Sequence, residues 1–144
     1  MKVTVKVEGL AELDKALREL LPASVRGRPL RAAVAAGARI VAKEAKARVP
    51  VDSGLVRSRV RVMSNPQQQK QARAESVVGV RRSGKARKDQ DPYYWRFVEF
   101  GTRKMRARPF LRPALEAKRN EATQMIRERL AKRIEAEVAK LRRP

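Results

Sequence analysis

Two carboxylates stand apart in the sequence as candidates for acid–base chemistry. Asp52 lies in the turn-like run Asp52-Ser53-Gly54, and Glu99 follows Val98 in the most aromatic stretch of the chain. A general acid or base acts only within a set of groups that converge on a substrate. No such set accompanies either acid, because the chain has no histidine, no cysteine and no glycine-rich phosphate loop. We therefore expect Asp52 to be a turn or cap residue, Glu99 to be a buried carboxylate paired with an arginine, and the protein to lack enzyme activity.

The missing residue types exclude further classes of site. Without cysteine there are no disulfides or thiol nucleophiles, and without histidine the usual zinc ligands are also absent. We expect no cofactor and no metal. No apolar run approaches the roughly 18 residues of a membrane-spanning helix, and the chain opens directly on a strand-like pattern at residues 2–7. We expect no signal peptide, no membrane partner, and a protein held in the cytoplasm until it is assembled.

Positive charge dominates the composition. The chain has 36 lysines and arginines against 15 aspartates and glutamates, a net charge of +21. A field of this sign attracts polyanions and speeds their encounter. The positive charge is compatible with binding to nucleic acid, to an acidic protein surface or to a membrane face. It is equally compatible with a role limited to solubility. Arg57, Arg59 and Arg61 alternate along one predicted strand, where they form either a polyanion stripe or an ordinary solvated face.

The hydrophobic pattern predicts one α+β domain over residues 1–144, because this length suffices for one core. Alternating apolar residues predict strands, and apolar residues at helical spacing predict helices. The expected architecture is a small, mostly antiparallel sheet of about four strands, packed with two N-terminal helices and a long C-terminal helix. In chain order we predict a strand at 2–7, helices at 10–21 and 30–49, strands at 55–63, 75–81 and 93–100, and a helix at 113–141.

The two longest predicted helices differ in character. Residues 30–49 are rich in alanine, and a helix of small residues can lie close against a sheet or a neighbouring subunit. Residues 113–141 would extend roughly 43 Å, which is further than one small sheet covers. We expect the last turns of this C-terminal helix to project or to pack on another subunit.

Two polar segments interrupt the predicted sheet, at residues 64–74 and 82–91. Neither contains apolar anchors, so we expect both to be mobile. They serve either as arms that become ordered on assembly or as plain hairpin loops. The residues that mark them are Gln67, Gln68, Gln69 and Lys70 in the first and Lys85, Arg87 and Lys88 in the second.

The aromatic residues are concentrated between Asp91 and Leu111. The pattern predicts a strand over residues 93–100, with Trp95, Phe97 and their neighbours alternating between a core face and an outward face. Gly101 closes this strand, and a basic loop follows. Its charged residues are Arg103, Lys104, Arg106 and Arg108, and we expect Phe110 to dock the loop's far end.

Two ordered motifs resemble the small tail-completion, or neck, proteins of long-tailed phages. The first is YYWRFVEFGT followed by RARPFLRPAL, and the second is the upstream run ending in PVDSGLVRS. Ser53 replaces the commoner threonine, and Leu55-Val56-Arg57 replaces the commoner order at that place. The residues that fall on the family pattern are Tyr94, Val98, Glu99, Phe100, Gly101, Thr102, Ala107, Pro109, Phe110, Leu111, Pro113 and Ala114, with Pro50, Val51, Asp52, Ser53, Gly54 and Ser58.

The resemblance implies a structural assembly protein of the virion. It implies a subunit of a homo-oligomeric, hexameric ring at the head–tail junction, with DNA passing through the lumen. The partners implied are the head connector or stopper on one side and the tail tube or terminator on the other. The assembly interface expected from the sequence consists of Trp95, Phe97, Glu99, Arg103, Lys104, Arg106, Arg108 and Phe110.

An alternative from another functional class remains open. The sheet and basic loops of a nucleic-acid-binding protein would grip phosphates without sequence specificity. Salt separates the two hypotheses, because phosphate binding weakens steeply with salt concentration. Assembly through apolar contacts should tolerate salt.

Overall fold

Two long helices packed against each other form the body of the fold. The computed structural model describes residues 15, 19, 23–52, 54–64, 74–82 and 90–142. Helix α1 spans Ala23–Arg48 and helix α4 spans Leu111–Leu141. Helix α4 is about 46 Å long at about 1.5 Å per residue. The remaining described elements pack around the end of this pair where α4 begins.

The two long helices are antiparallel. Leu30 and Ala33, early in α1, pack with Leu130 and Ile134, late in α4. At the other end, Ala45 of α1 shares a core cluster with the first turns of α4. Helix α1 is therefore a neighbour of α4 over much of its length. That the last turns of α4 project or pack on another subunit stays a prediction.

Gly37 marks the closest approach of α1 and α4. A Cβ placed on Gly37 would lie 2.6 Å from Cγ1 of Ile126 and 2.9 Å from the backbone oxygen of Ala122. Both distances are too short for real carbon contacts. The small residues that the sequence places in this helix thus allow α4 to lie directly against it.

Helix α1 begins earlier than the pattern predicts. The predicted start is residue 30, whereas the helix starts at Ala23 and continues across Pro29. The other end agrees with the prediction more closely. The helix ends at Arg48, shortly before Pro50, whose ring cannot continue a helix.

A β-hairpin covers one side of the core. Strand β1 spans Val60–Ser64 and β2 spans Ser76–Val80, and they pair antiparallel. Val60 lies opposite Val80, and Val62 lies opposite Val78. Val60 and Val80 are buried, with Val62 and Val78 packed against the same cluster. The alternation that predicted these strands therefore also identified their inner face.

The predicted strand at 55–63 is wrong in its first half. Leu55–Arg59 forms a short helix, α2, and the strand starts only at Val60. Gly54 adopts a left-handed conformation, with φ of 73°, and turns the chain into this helix. The N–H of Ser58 donates to the carbonyl of Gly54 at 3.0 Å, and its hydroxyl donates to the carbonyl of Leu55 at 2.8 Å.

The predicted aromatic strand at 93–100 is also wrong. Trp95–Phe100 is a helix, α3. The N–H of Trp95 donates to the carbonyl of Pro92 at 3.1 Å, and that of Gly101 donates to Phe97 at 2.8 Å. Aromatic β-propensity depends strongly on context. Here a helix buries both Trp95 and Glu99, four residues apart, which is what the core requires.

The described sheet has two antiparallel strands instead of about four, because the aromatic segment is helical and the strand predicted at 2–7 lies outside the described residues. The fold class is nonetheless α+β with a long C-terminal helix. The strand predicted at 2–7 lies outside the described residues, as does most of the helix predicted at 10–21. Lys15 and Glu19 of that segment are helical.

Candidate assembly surface

Glu99 joins helix α3 to the start of helix α4. Its Oε2 accepts hydrogen bonds from the backbone N–H groups of Phe110 at 2.8 Å and Leu111 at 3.1 Å. Its Oε1 accepts one from the N–H of Arg112 at 3.2 Å. The first N–H groups of a helix have no partners within it, and the helix dipole favours a negative charge there. Glu99 therefore caps α4 from another element.

This arrangement corrects the expected arginine partner of Glu99. The side chain is buried, at 5% exposure, and in the described part of the chain backbone amides hold it where a guanidinium was expected. The residue at the N-cap position itself, Phe110, offers no side-chain cap. Phe110 instead fills the core and is fully buried. The capping acid and the packing residue thus occupy different positions.

The loop after α3 folds back on itself through two specialised residues. Gly101 has a positive φ of 75°, and a Cβ there would lie 2.8 Å from the backbone nitrogen of Ala107. The hydroxyl of Thr102 accepts hydrogen bonds from the N–H groups of Lys104 at 3.3 Å and Met105 at 3.0 Å. The Gly-Thr pair therefore closes the loop.

The end of this loop returns to α3. The N–H of Arg108 donates to the carbonyl of Val98 at 2.8 Å. The loop is therefore held at both ends while its side chains face solvent. Its four basic residues, Arg103, Lys104, Arg106 and Arg108, are all exposed.

Helix α3 sorts its aromatic residues between core and surface. Trp95 is buried, with the guanidinium carbon of Arg96 5.6 Å from its ring centroid. Phe97 is 48% exposed and Phe100 is 57% exposed. Of the residues expected at the assembly interface, Trp95, Glu99 and Phe110 are thus buried within this chain. Phe97 and the four basic loop residues are accessible.

Phe97 lines a cleft of about 570 Å³ between α3 with its loop and the connection from α1 to α2. We call it the α3 cleft. Its apolar lining consists of Val49, Pro50, Val51, Val56, Tyr94, Phe97, Val98 and Met105, and its charged lining consists of Asp52, Arg57, Arg106 and Arg108. The two motifs that resemble the phage proteins are therefore adjacent in space, because each supplies one wall.

Several residues of the α3 cleft were not predicted from the sequence to lie at an interface. Val51 is 65% exposed and Met105 is 42% exposed, and neither was placed at an interface. Val51 and Asp52 belong to the Pro-Val-Asp motif, which was the available signal. Asp52 is exposed at the edge of the cleft. Arg57 was placed on a strand, whereas it lies in helix α2 and lines the cleft.

An ion pair connects the end of the hairpin to the approach of α3. Arg82 Nη2 lies 2.8 Å from Asp91 Oδ2, and Arg82 Nε lies 3.2 Å from both carboxylate oxygens. The hydrogen bond from Arg82 lowers the pKa of Asp91 below its usual range. The same bond raises the pKa of Arg82.

Some predicted features cannot be located in the structure. The residues expected in mobile loops, Gln67, Gln68, Gln69, Lys70, Lys85, Arg87 and Lys88, lie outside the described residues. Within the described part of the chain, no cluster of acidic residues could hold a metal ion. None of the described helices has the length and apolar character needed to cross a bilayer.

Comparison with known families gives the chain its relatives. Residues 11–101 match the model of the HK97-gp10-like family, described as "Bacteriophage HK97-gp10, putative tail-component". The match covers more than half of the 144 residues. The chain belongs to the HK97-gp10-like family. The resemblance to phage tail proteins is thereby confirmed at the level of the tail component, and a tail component is part of the virion.

The range matched by the family model includes most of the residues that line the α3 cleft. It spans α1, α2, the hairpin and α3 and ends at Gly101. The basic loop and helix α4 of this HK97-gp10-like chain follow the matched range. No curated protein and no solved structure matches the chain.

Proposed function

We propose that this chain is a tail-completion or neck subunit. In this proposal it forms a homo-oligomeric, hexameric ring at the head–tail junction, and DNA passes through the ring. It assembles in the host cytoplasm and remains in the virion. It works by surface complementarity, without catalysing a reaction. Its neighbours are the head connector or stopper and the tail tube or terminator.

One observation carries this proposal beyond family membership. The two motif regions converge on the α3 cleft, where Val51, Phe97 and Met105 are each at least 42% exposed. Large apolar groups gathered at one exposed place are typical of protein–protein contacts. Exposed basic side chains border them, as interface rims are usually polar.

The loop beside the cleft supports assembly for a second reason. Gly101, Thr102 and the bond from Arg108 to Val98 fix its backbone. A preformed surface loses less conformational entropy on binding than a mobile one. The basic loop thus presents its charges in a defined arrangement to a partner.

Electron microscopy of the purified protein with its neighbouring neck components tests the proposal. We expect closed rings of this chain, seated between connector and tail components. The absence of rings, both for the chain alone and with these components, would refute the proposal. Native mass spectrometry of the same sample gives the number of subunits in the ring.

Sequence-independent nucleic-acid binding is a second candidate function. The net charge of +21 and the exposed Arg103, Lys104 and Arg106 favour it. Replacing these three residues with glutamate should then lower duplex affinity and flatten the salt slope by about one unit per lost phosphate contact. If the assembly role is correct, the same variant instead loses docking to its partner ring. A large loss of DNA affinity with normal assembly would favour the second function.

A further inference from the structure

Exposed apolar side chains are concentrated in one region of this chain. Among the described residues, the large hydrophobic side chains that are exposed are Val51, Tyr93, Phe97, Phe100 and Met105. All lie in α3, its flanking turns or the Pro-Val-Asp connection. Three of them line the α3 cleft. Such a cluster calls for an apolar occupant of the cleft.

The charged lining specifies the occupant further. Arg57, Arg106 and Arg108 are exposed along the cleft. Within the described residues none of the three pairs with a carboxylate. An apolar side chain with carboxylates near it could bury itself against the apolar lining and pair with the arginines. Duplex DNA would satisfy the arginines alone, because its phosphate backbone has nothing to bury in an apolar floor.

Six of the described carboxylates are already engaged within their own subunit. Glu44, Asp91, Glu116, Glu121 and Glu137 already pair with basic side chains of their own subunit. The three N–H groups at the start of α4 hold Glu99. Of the other exposed carboxylates, Glu128 and Glu135 lie on α4, where no large apolar side chain is exposed among the described residues, and Asp52 lines the cleft itself.

One stretch of the sequence has the required chemistry. Residues 8–14, EGLAELD, contain three acidic residues and no basic residue, in a chain whose net charge is +21. Leu10 and Leu13 are the apolar residues of this stretch. In the sequence, Leu13 stands directly between Glu12 and Asp14, so the stretch combines a large apolar residue with neighbouring carboxylates.

We propose that residues 8–14 of one copy dock in the α3 cleft of the next copy. This inference rests on the proposed function, since it supplies the contact between ring subunits. Copies of a chain with net charge +21 repel one another, and a contact of opposite charges offsets that repulsion locally. The contact joins two different surfaces, so it is head-to-tail, and repeated rotation closes such contacts into a ring.

Paired charge reversals test this contact in the full-length chain. The cleft variant carries Arg57→Glu and Arg106→Glu, and the segment variant carries Glu12→Lys and Asp14→Lys. Matched controls place the same charge changes on the exposed surface of α4. They are Arg127→Glu with Arg129→Glu, and Glu128→Lys with Glu135→Lys. Sedimentation velocity measures assembly, and circular dichroism verifies that each variant folds.

We expect each reversal alone to weaken self-association by about a hundredfold or more, because like charges then face each other. The two controls should assemble like the unmodified chain. An equimolar mixture of the cleft and segment variants should assemble again, since every interface of an alternating ring pairs opposite charges. A chain carrying both reversals should also assemble.

Other occupants give different patterns, each of which overturns the contact. If residues 8–14 dock in the cleft of their own chain, the doubly reversed chain assembles, but the equimolar mixture of the cleft and segment variants does not. If an external acidic protein occupies the cleft, the segment variant assembles normally. If nucleic acid occupies it, only the cleft variant loses affinity for a 30-base-pair duplex, and self-assembly persists in both. If the unmodified chain forms rings and both variants form them too, this contact is refuted but the ring is not. If the unmodified chain never associates, the ring is refuted as well.

Discussion

The carboxylate of Glu99 in helix α3 accepts the backbone N–H of Phe110, at the start of helix α4, at 2.8 Å. This bond, with two more to Leu111 and Arg112, fixes the first turn of the longest helix to the element that carries the exposed aromatic residues. The basic loop between them is therefore closed at its base. The position of Phe97 and the basic loop depends on this buried cap.

The cap predicts a graded loss of stability. Glu99→Ala leaves three N–H groups at the start of α4 without their acceptor, so we expect a loss of about 2–4 kcal/mol in the free energy of unfolding. Glu99→Gln retains one acceptor oxygen and should lose less. Urea unfolding measures both. Glu116→Gln, on the exposed face of α4, is the control, and equal stability of the Glu99 and Glu116 variants would contradict the capping role.

Gly37 predicts that a helix-favouring substitution destabilises this fold. In an exposed helix, Gly→Ala stabilises by up to about 1 kcal/mol. At Gly37 the new Cβ would lie 2.6 Å from Ile126 Cγ1, so we expect Gly37→Ala to destabilise by about 1–3 kcal/mol. Gly27→Ala is the matched control in the same helix, because its Cβ meets only the flexible end of Arg31. Thermal unfolding measures both variants. A stability change of the same sign for Gly37→Ala and Gly27→Ala would contradict the close helix contact.

The ion pair between Arg82 and Asp91 predicts a dependence of stability on pH. The hydrogen bond from Arg82 lowers the pKa of Asp91 in the folded chain. The stabilisation is therefore fully present above the ordinary aspartate value of about 3.9 and is lost as the pH falls through the folded pKa. The stability difference between the unmodified chain and Arg82→Ala should vanish in acid. Arg81→Ala is the control, and a difference independent of pH would exclude Asp91 as the partner.

The two long helices were predictable from the sequence, because apolar spacing and proline positions report local structure directly. The alanine-rich and C-terminal helices and the second strand of the hairpin all lie close to where the pattern places them. Alternation cannot identify the neighbours of a segment, and the aromatic segment shows the consequence. A strand and a helix both bury Trp95 and Glu99 on one side. They differ over Phe97, which an alternating strand places beside Trp95 and the helix places at the surface.

The candidate site was predictable only in part for the same reason. The sequence indicated the basic loop and its aromatic neighbours, but not that Val51 and Arg57 lie across a cleft from them. These residues are about forty or more positions away in the chain. The partner of Glu99 was also missed, since a cap supplied by another element leaves no capping residue at the start of α4 itself.

Two aromatic residues of α3 should differ in their effect on folding. Trp95 is 8% exposed, and Trp95→Ala should destabilise the chain by about 3–5 kcal/mol. Phe97 is 48% exposed, and Phe97→Ala should cost less than about 1 kcal/mol. Denaturant unfolding of both variants measures these costs. A similar large loss for both would mean that Phe97 is part of the core and is not available to a partner.

Complementation of a phage that lacks this protein tests whether the α3 cleft is the assembly surface. Phe97 and Phe100 are the same residue type, lie in the same helix and are both about half exposed, but only Phe97 lines the α3 cleft. We expect Phe97→Ser to lower the yield of infectious particles by at least about tenfold, while Phe100→Ser complements normally and both variants fold. Normal yield with Phe97→Ser, or an equal loss with both substitutions, would contradict the assignment of the α3 cleft as the assembly surface.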